Sequence, residues 1–172
     1  MKNVLLIILL CVGVNLYSQN NNDEYRKLID SSIAIKSMET YKGFKEDLEK
    51  TNDTDNWKQY INNYKHSIEN IYLIDNNNHP YFITLYKSND IKFKQIDIYH
   101  PKNKKLIKKG IDAWKIIPTL DGNRLKIVIV DFKITYNKNN YQFSNGGGST
   151  FVYEYSCENR IWKLISSKHS GI

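Results

Sequence analysis

A chain of 172 residues, 41% of them apolar and thirteen of them tyrosine, carries too much core-forming side chain for intrinsic disorder and is the size of one domain. Its two cysteines, Cys11 and Cys157, exclude a disulfide-stapled scaffold. The net charge of +7 is uneven: Gln19 to His79 holds eight basic against eleven acidic residues, whereas Pro80 to Ile172 holds sixteen against seven.

The N-terminus has the three parts of a secretory signal. Lys2 supplies the charge, Val4 to Val14 the apolar run, and Asn15-Leu16-Tyr17-Ser18 a polar end with small Ser18 before the cut. This pattern predicts removal of Met1–Ser18 (residues 1–18), a single domain over residues 19–172 beginning at Gln19, and a periplasmic or secreted location. The apolar run is too short for a membrane-spanning helix, which needs about 20 residues. Lipidation at Cys11 is the other alternative, but Leu9-Leu10 stand where small residues are wanted. Export would remove Cys11 and leave Cys157 alone.

Helical periodicity follows. Asn21 with Glu24 resembles a capping box, and Tyr25, Leu28, Ile29, Ser32 and Ile35 fall on one stripe, with Gly43 weakening or ending the helix. A second helix opens at Asp53 or Thr54, its face made by Trp57, Tyr60, Ile61, Tyr64 and Ile68. From Ile71 the pattern turns to strands: Ile71–Ile74, Tyr81–Tyr86, Ile91–Tyr99, Ile111–Ile117 and Leu125–Tyr136, with a hairpin signal at Asp121-Gly122-Asn123. A closing hairpin turning at Glu158-Asn159 sets Tyr155 opposite Trp162, Tyr153 opposite Leu164, Phe151 opposite Ser166, Val152 opposite Ile165 and Glu154 opposite Lys163. That register puts Cys157 on the aromatic face and predicts a packed thiol. The expected fold is α+β, with N-terminal helices packed on a curved antiparallel sheet of about six or seven strands ending in a β-hairpin.

The succession of a long helix, a strand meander and a closing Tyr153-Glu154-Tyr155…Trp162-Lys163-Leu164 hairpin resembles cystatin-like and nuclear-transport-factor-like α+β domains. Such folds host both enzymes and non-catalytic binders. The last third of the chain, from Gly146-Gly147-Gly148-Ser149-Thr150 through Ile161-Trp162, also resembles small uncharacterised secreted proteins of Gram-negative bacteria, which implies export and no particular activity.

Several groups carry possible chemistry. Trp114 shares a strand face with Asp112 and Ile116, and a curved sheet could place a pocket there; Tyr153 and Tyr155 extend the aromatic surface and complete the ligand-binding candidates. Lys102, Lys104, Lys105, Lys108 and Lys109 put five ammonium groups within eight residues, able to hold an anionic envelope component or, in the plainer reading, to line a solvated loop or strand edge. The glycine run at 146–148 lacks the ending of a phosphate loop and reads as a bulged connection between strands. His66, His79, His100 and His169 fit no metal spacing, and a Cys157–His169 nucleophile pair lacks an orienting acid. No cofactor motif is present. The function expected is an exported, non-catalytic domain that binds a small ligand or protein partner. The alternatives are a hydrolase-like exported enzyme using Asp112, Asp131 or Glu154 in a sheet cavity, and polyanion binding through Lys102–Lys109.

Overall fold

The computed structural model describes the backbone of residues 2–50, 54–84 and 90–171 and the side chains of residues 23–50, 54–84 and 90–170. The expected signal peptide lies outside the residues whose side chains are described, and the backbone of the first helix runs on through Asn21, so the expected helix start at Asn21 is corrected.

Helix α1 (Lys2–Leu48) does not end at Gly43. A glycine inside a helix costs about 1 kcal/mol relative to alanine, and tertiary packing on either side of it offsets that cost. Phe44 is buried, its ring meets Tyr64 edge-on at 5.3 Å, and the Tyr64 hydroxyl donates to the Thr40 carbonyl at 3.1 Å. Helix α2 (Asp55–Ile68) starts where its sequence says it should: the Thr54 hydroxyl accepts the Trp57 N–H at 3.3 Å. Ile61, Tyr64 and Ile68 face the core, while Tyr60 is only partly covered, 44% exposed, and donates to Asp47 at 2.8 Å.

Among the described residues six strands form one curled sheet in the order β2-β1-β3-β4-β5-β6: β1 (Ile71–Ile74), β2 (Phe93–Lys94), β3 (Ile111–Asp121), β4 (Arg124–Asn137), β5 (Asn140–Ser156) and β6 (Ile161–Gly171). It is mostly antiparallel, but β1 runs parallel to both β2 and β3. All four residues of β1 are buried, as a continuous apolar run covered on both faces should be. The β3–β4 hairpin turns on Gly122-Asn123, with Gly122 at φ 57°.

Two expected strands are corrected. Tyr81–Thr84 is not strand, because the buried Asp30 carboxylate accepts the Thr84 N–H that a ladder would have used; residues 85–89 lie outside the description. Of Ile91–Tyr99 only Phe93–Lys94 is strand. Asp30 also accepts from the Tyr81 and Thr84 hydroxyls, each at 2.8 Å, and Arg26 donates to the Phe82 carbonyl at 2.7 Å, so this stretch is fastened to α1.

The sheet has two covered faces. Helices α1 and α2 lie on the concave side over Leu73, Trp114, Ile116, Ile127, Ile129, Phe151 and Tyr153. On the other side the 96–107 segment seals a second cluster through Ile96, Ile98 and Ile107, against Tyr72, Ile111, Ile134 and Tyr136. The lysine segment is therefore neither loop nor strand edge. Pro101–Asn103 form a 3-10 turn that runs into a one-turn helix, α3 (Lys104–Ile107), anchored by fully buried Ile107.

The closing hairpin keeps its expected register from Tyr155↔Trp162 through Glu154↔Lys163 to Tyr153↔Leu164, and then departs from it. A bulge at Ile165 moves Val152 opposite Ser166 and Phe151 opposite Ser167. The turn takes four residues, 157–160, rather than two, and Arg160 adopts φ 53°. Cys157 consequently sits in the turn and is exposed, not packed. Glu154 pairs with Arg124 at 2.7 Å on the outer face, a different cation from the Lys163 that stands opposite it in the ladder.

Candidate functional site

Where α1 and α2 leave the concave face uncovered, a cavity of about 440 Å³ opens near the start of β3. Lys36 and Thr40 come from α1, Tyr64 and Ser67 from α2, Asp112 and Trp114 from β3, Asp131 and Lys133 from β4, and Ser144 to Gly146 from β5. Alternation along the strands explains the sheet's share: Asp112 and Trp114 stand opposite Lys133 and Asp131, all on the concave face.

A bulge sharpens the arrangement. Val130 pairs with Gly148 and Phe132 with Asn145, so Asp131 is left out of the ladder opposite Gly146 and Gly147. Gly147 takes φ 102°, a conformation glycine adopts without penalty, and its N–H donates to the Asn145 side chain at 2.8 Å. The glycine run is thus not a connection between strands but the bulged middle of one long strand, and the bend it makes aims Asp131 at α1.

Charges in the cavity come in pairs. The Lys36 ammonium lies 2.9 Å from Asp131 Oδ2, 3.3 Å from Ser149 Oγ and 4.7 Å from the centre of the Trp114 ring. Its side chain is 7% exposed, against 33% for Asp131. Nearer solvent, Lys133 reaches both Asp112 oxygens at 3.2 and 3.3 Å. Two cations face two carboxylates.

From Lys36 a hydrogen-bonded line continues outward. Ser149 Oγ is 2.8 Å from His169 Nδ1, and His169 Nε2 is 2.5 Å from Glu39 Oε2 and 3.2 Å from Ser167 Oγ. One proton arrangement satisfies the line from Lys36 to Glu39: Lys36 donates to Ser149, Ser149 donates to Nδ1, and Nε2–H donates to Glu39. The order serine, histidine, glutamate resembles a nucleophilic relay. Ser149 is buried, however, and Lys36 already occupies its approach, so no substrate carbonyl reaches Oγ. The line ties β6 and β5 to α1.

Of the residues expected at a site, Asp112 and Trp114 line the cavity. Trp114 is not a free stacking surface, since Lys36 covers it and Phe93 packs on it at 5.4 Å. Tyr153 is buried under α1, its hydroxyl 3.1 Å from Ser32 Oγ. Tyr155 packs on Trp162 at 5.3 Å and lines a second cavity of about 330 Å³ with Glu24, Tyr25, Gly122 and Asn123. Asp131 joins Asp112 in the first cavity, whereas Glu154 faces outward. His169 is bonded to Ser149 and Glu39, and Cys157 stands in the hairpin turn at the other end of β6, so they make no nucleophile pair. Among the described residues no three His, Cys, Asp or Glu side chains converge on a metal position. Lys36, Thr40 and Lys133 were not expected at the site. Lys36 stands four residues after Ser32 on the α1 stripe, where a charged side chain inside an apolar row is the signal to follow.

Several tyrosines titrate high. Burial, then the hydrogen bond to Asp47, pushes the Tyr60 hydroxyl up to about 12; burial and the bond to Asp30 push Tyr81 up further, and burial raises Tyr64, Tyr72 and Tyr153. In the unfolded chain these groups lose their protons near pH 10. Their contribution to stability is therefore complete below that pH and lost as pH rises from about 10 toward the folded-state values. Urea midpoints measured from pH 8 to 12 should fall above pH 10, and Tyr81→Phe should flatten the fall. An unchanged slope in that variant would remove Tyr81 from the account.

No protein-family model matches the chain, nor does any curated protein or solved structure.

Proposed function

We propose that the protein is an exported binding domain that holds a small, net-neutral or zwitterionic solute in the cavity between its helices and its curled sheet, without chemical turnover. The observation that carries this reading is the balance of charge: Lys36 against Asp131 and Lys133 against Asp112, within one cavity of about 440 Å³. A cavity of this size suits a small molecule. Each carboxylate engaged by an ammonium has fewer free lone pairs for a general base to use, which favours binding over the hydrolase alternative. Thr40, Ser67 and Asn145 add polar groups that can fix orientation. Export rests on the Met1–Ser18 signal pattern.

The test is a panel of free amino acids, dipeptides, monosaccharides and nucleosides, followed by intrinsic tryptophan fluorescence, to which Trp114 in the cavity contributes beside Trp57 and Trp162. At least one compound should give saturable quenching in the wild-type chain, and Thr40→Phe, which fills the cavity, should weaken it tenfold or more. Saturable binding that is unchanged in Thr40→Phe, or no binding to a folded chain at millimolar concentration, would overturn the proposal. Turnover of the bound compound would transfer it to the enzyme reading. Mature protein recovered from an exporting cell should begin at Gln19; an intact Met1 would remove export from the proposal.

A further inference from the structure

Five lysines between Lys102 and Lys109 are folded into one projecting turn. Fully buried Ile107 holds that turn to the outer face of the sheet. A helix advances about 100° per residue, so with Ile107 facing inward Lys105 faces outward and Leu106 lies on the flank, and Lys108 and Lys109 follow in an exposed turn. Lys102, Lys105, Lys108 and Lys109 are exposed, and Lys104 lies over the Tyr136 ring at 5.0 Å. Among the described residues, no carboxylate lies within ion-pair distance of any of the five ammonium groups. Like charges one helical turn apart repel, and among the described residues no carboxylate neutralises them.

We infer that this turn docks the protein on an anionic phospholipid bilayer, with the lysines at the headgroups and Leu106 among them. The apolar residues decide between a bilayer and a soluble polyanion. Leu106 is 41% exposed amid the lysines, and Tyr99, just before the turn, is 47% exposed. A single-stranded nucleic acid gains affinity by stacking its bases on free aromatic faces. Tyr99 instead meets Tyr141 edge-on at 5.2 Å, and its hydroxyl accepts from Asn78 at 2.8 Å. An isolated leucine gives a polyanion nothing to hold, whereas an interfacial layer takes up an apolar side chain and attracts the charges around it. Docking in this way is independent of the cavity's ligand.

Co-sedimentation of the full chain with vesicles tests this, comparing phosphatidylcholine alone with a phosphatidylcholine–phosphatidylglycerol mixture. The leader is common to every variant, so differences between variants report on the turn. Wild type should bind the anionic vesicles more tightly than the neutral ones, and the difference should shrink with added salt. Replacing Lys102, Lys105, Lys108 and Lys109 by Gln should weaken anionic binding about fivefold per lysine. Leu106→Ser should weaken it without changing its salt dependence. Circular dichroism checks the fold, with the Lys105→Gln/Lys109→Gln pair as the milder variant. Unchanged binding in the lysine variants would overturn the inference. So would full binding by Leu106→Ser together with complete competition by heparin, which would assign the turn to a soluble polyanion.

Discussion

Replacing Gly148 by alanine should remove about 3 kcal/mol of stability, the upper end of the cost of forcing atoms into a packed site, and lower the melting temperature by roughly 10 °C. A Cβ at this position would lie 2.5 Å from the Ile129 carbonyl oxygen and 3.1 Å from the Val130 Cα. Both are backbone atoms of β4, the strand paired to β3 on one side and β5 on the other, so neither can turn aside as a side-chain end would. Relief would require separating β4 from β5 where Val130 pairs with Gly148, immediately beside the bulge that aims Asp131. Gly146→Ala is the control. Its Cβ would meet Asp131 atoms no closer than 3.6 Å, an ordinary contact, and its cost should stay within about 1 kcal/mol. Urea denaturation of both variants separates the cases; equal losses would show that the close approach at Gly148 is not what constrains the strand.

The same stretch marks where sequence patterns stop being informative. Period-3.6 and period-2 spacing act over a few residues, so the Thr54 cap, the α2 face, the Gly122 turn and the Tyr155–Trp162 pairing were all legible. Three glycines in a row read as a break between strands, because a glycine run offers no side chain to pack. Its real partner is the β4 backbone, and pairing with it needs the absence of those side chains. Tyr81–Thr84 has the apolar content of a strand, yet a carboxylate more than fifty residues earlier takes its hydrogen bonds. The four-residue turn at Cys157 leaves the Tyr155–Trp162 pairing unchanged, and the bulge at Ile165 breaks a period-2 alternation that carries no mark of it. At the cavity, alternation along β3 identified Asp112 and Trp114. It could not identify Lys36, whose partners Asp131 and Ser149 come from strands that only the folded sheet brings to α1.

That buried lysine gives the second large expected effect, and the effect is asymmetric. Asp131→Asn leaves the Lys36 ammonium nearly enclosed, with Ser149 and the Trp114 ring as its remaining contacts. Breaking a buried pair from one side costs about 3–5 kcal/mol. Asp131 is one-third exposed and its asparagine can still accept a hydrogen bond, so about 2–3 kcal/mol is expected here. Lys36→Met is different: it leaves a carboxylate that water can reach, keeps an unbranched chain against Trp114, and should cost no more than about 1 kcal/mol. The double variant should be no less stable than Lys36→Met alone, because the charge that made Asp131→Asn costly is gone. A double-mutant cycle by urea denaturation should then give a coupling of about 2 kcal/mol, persisting at high salt because the pair is shielded from it. Equal single costs with no coupling would mean that the pair is effectively solvated. If Lys36→Met is neutral while solute binding is lost, the charge is kept at this position for what the cavity holds, and stability is the lesser reason for it.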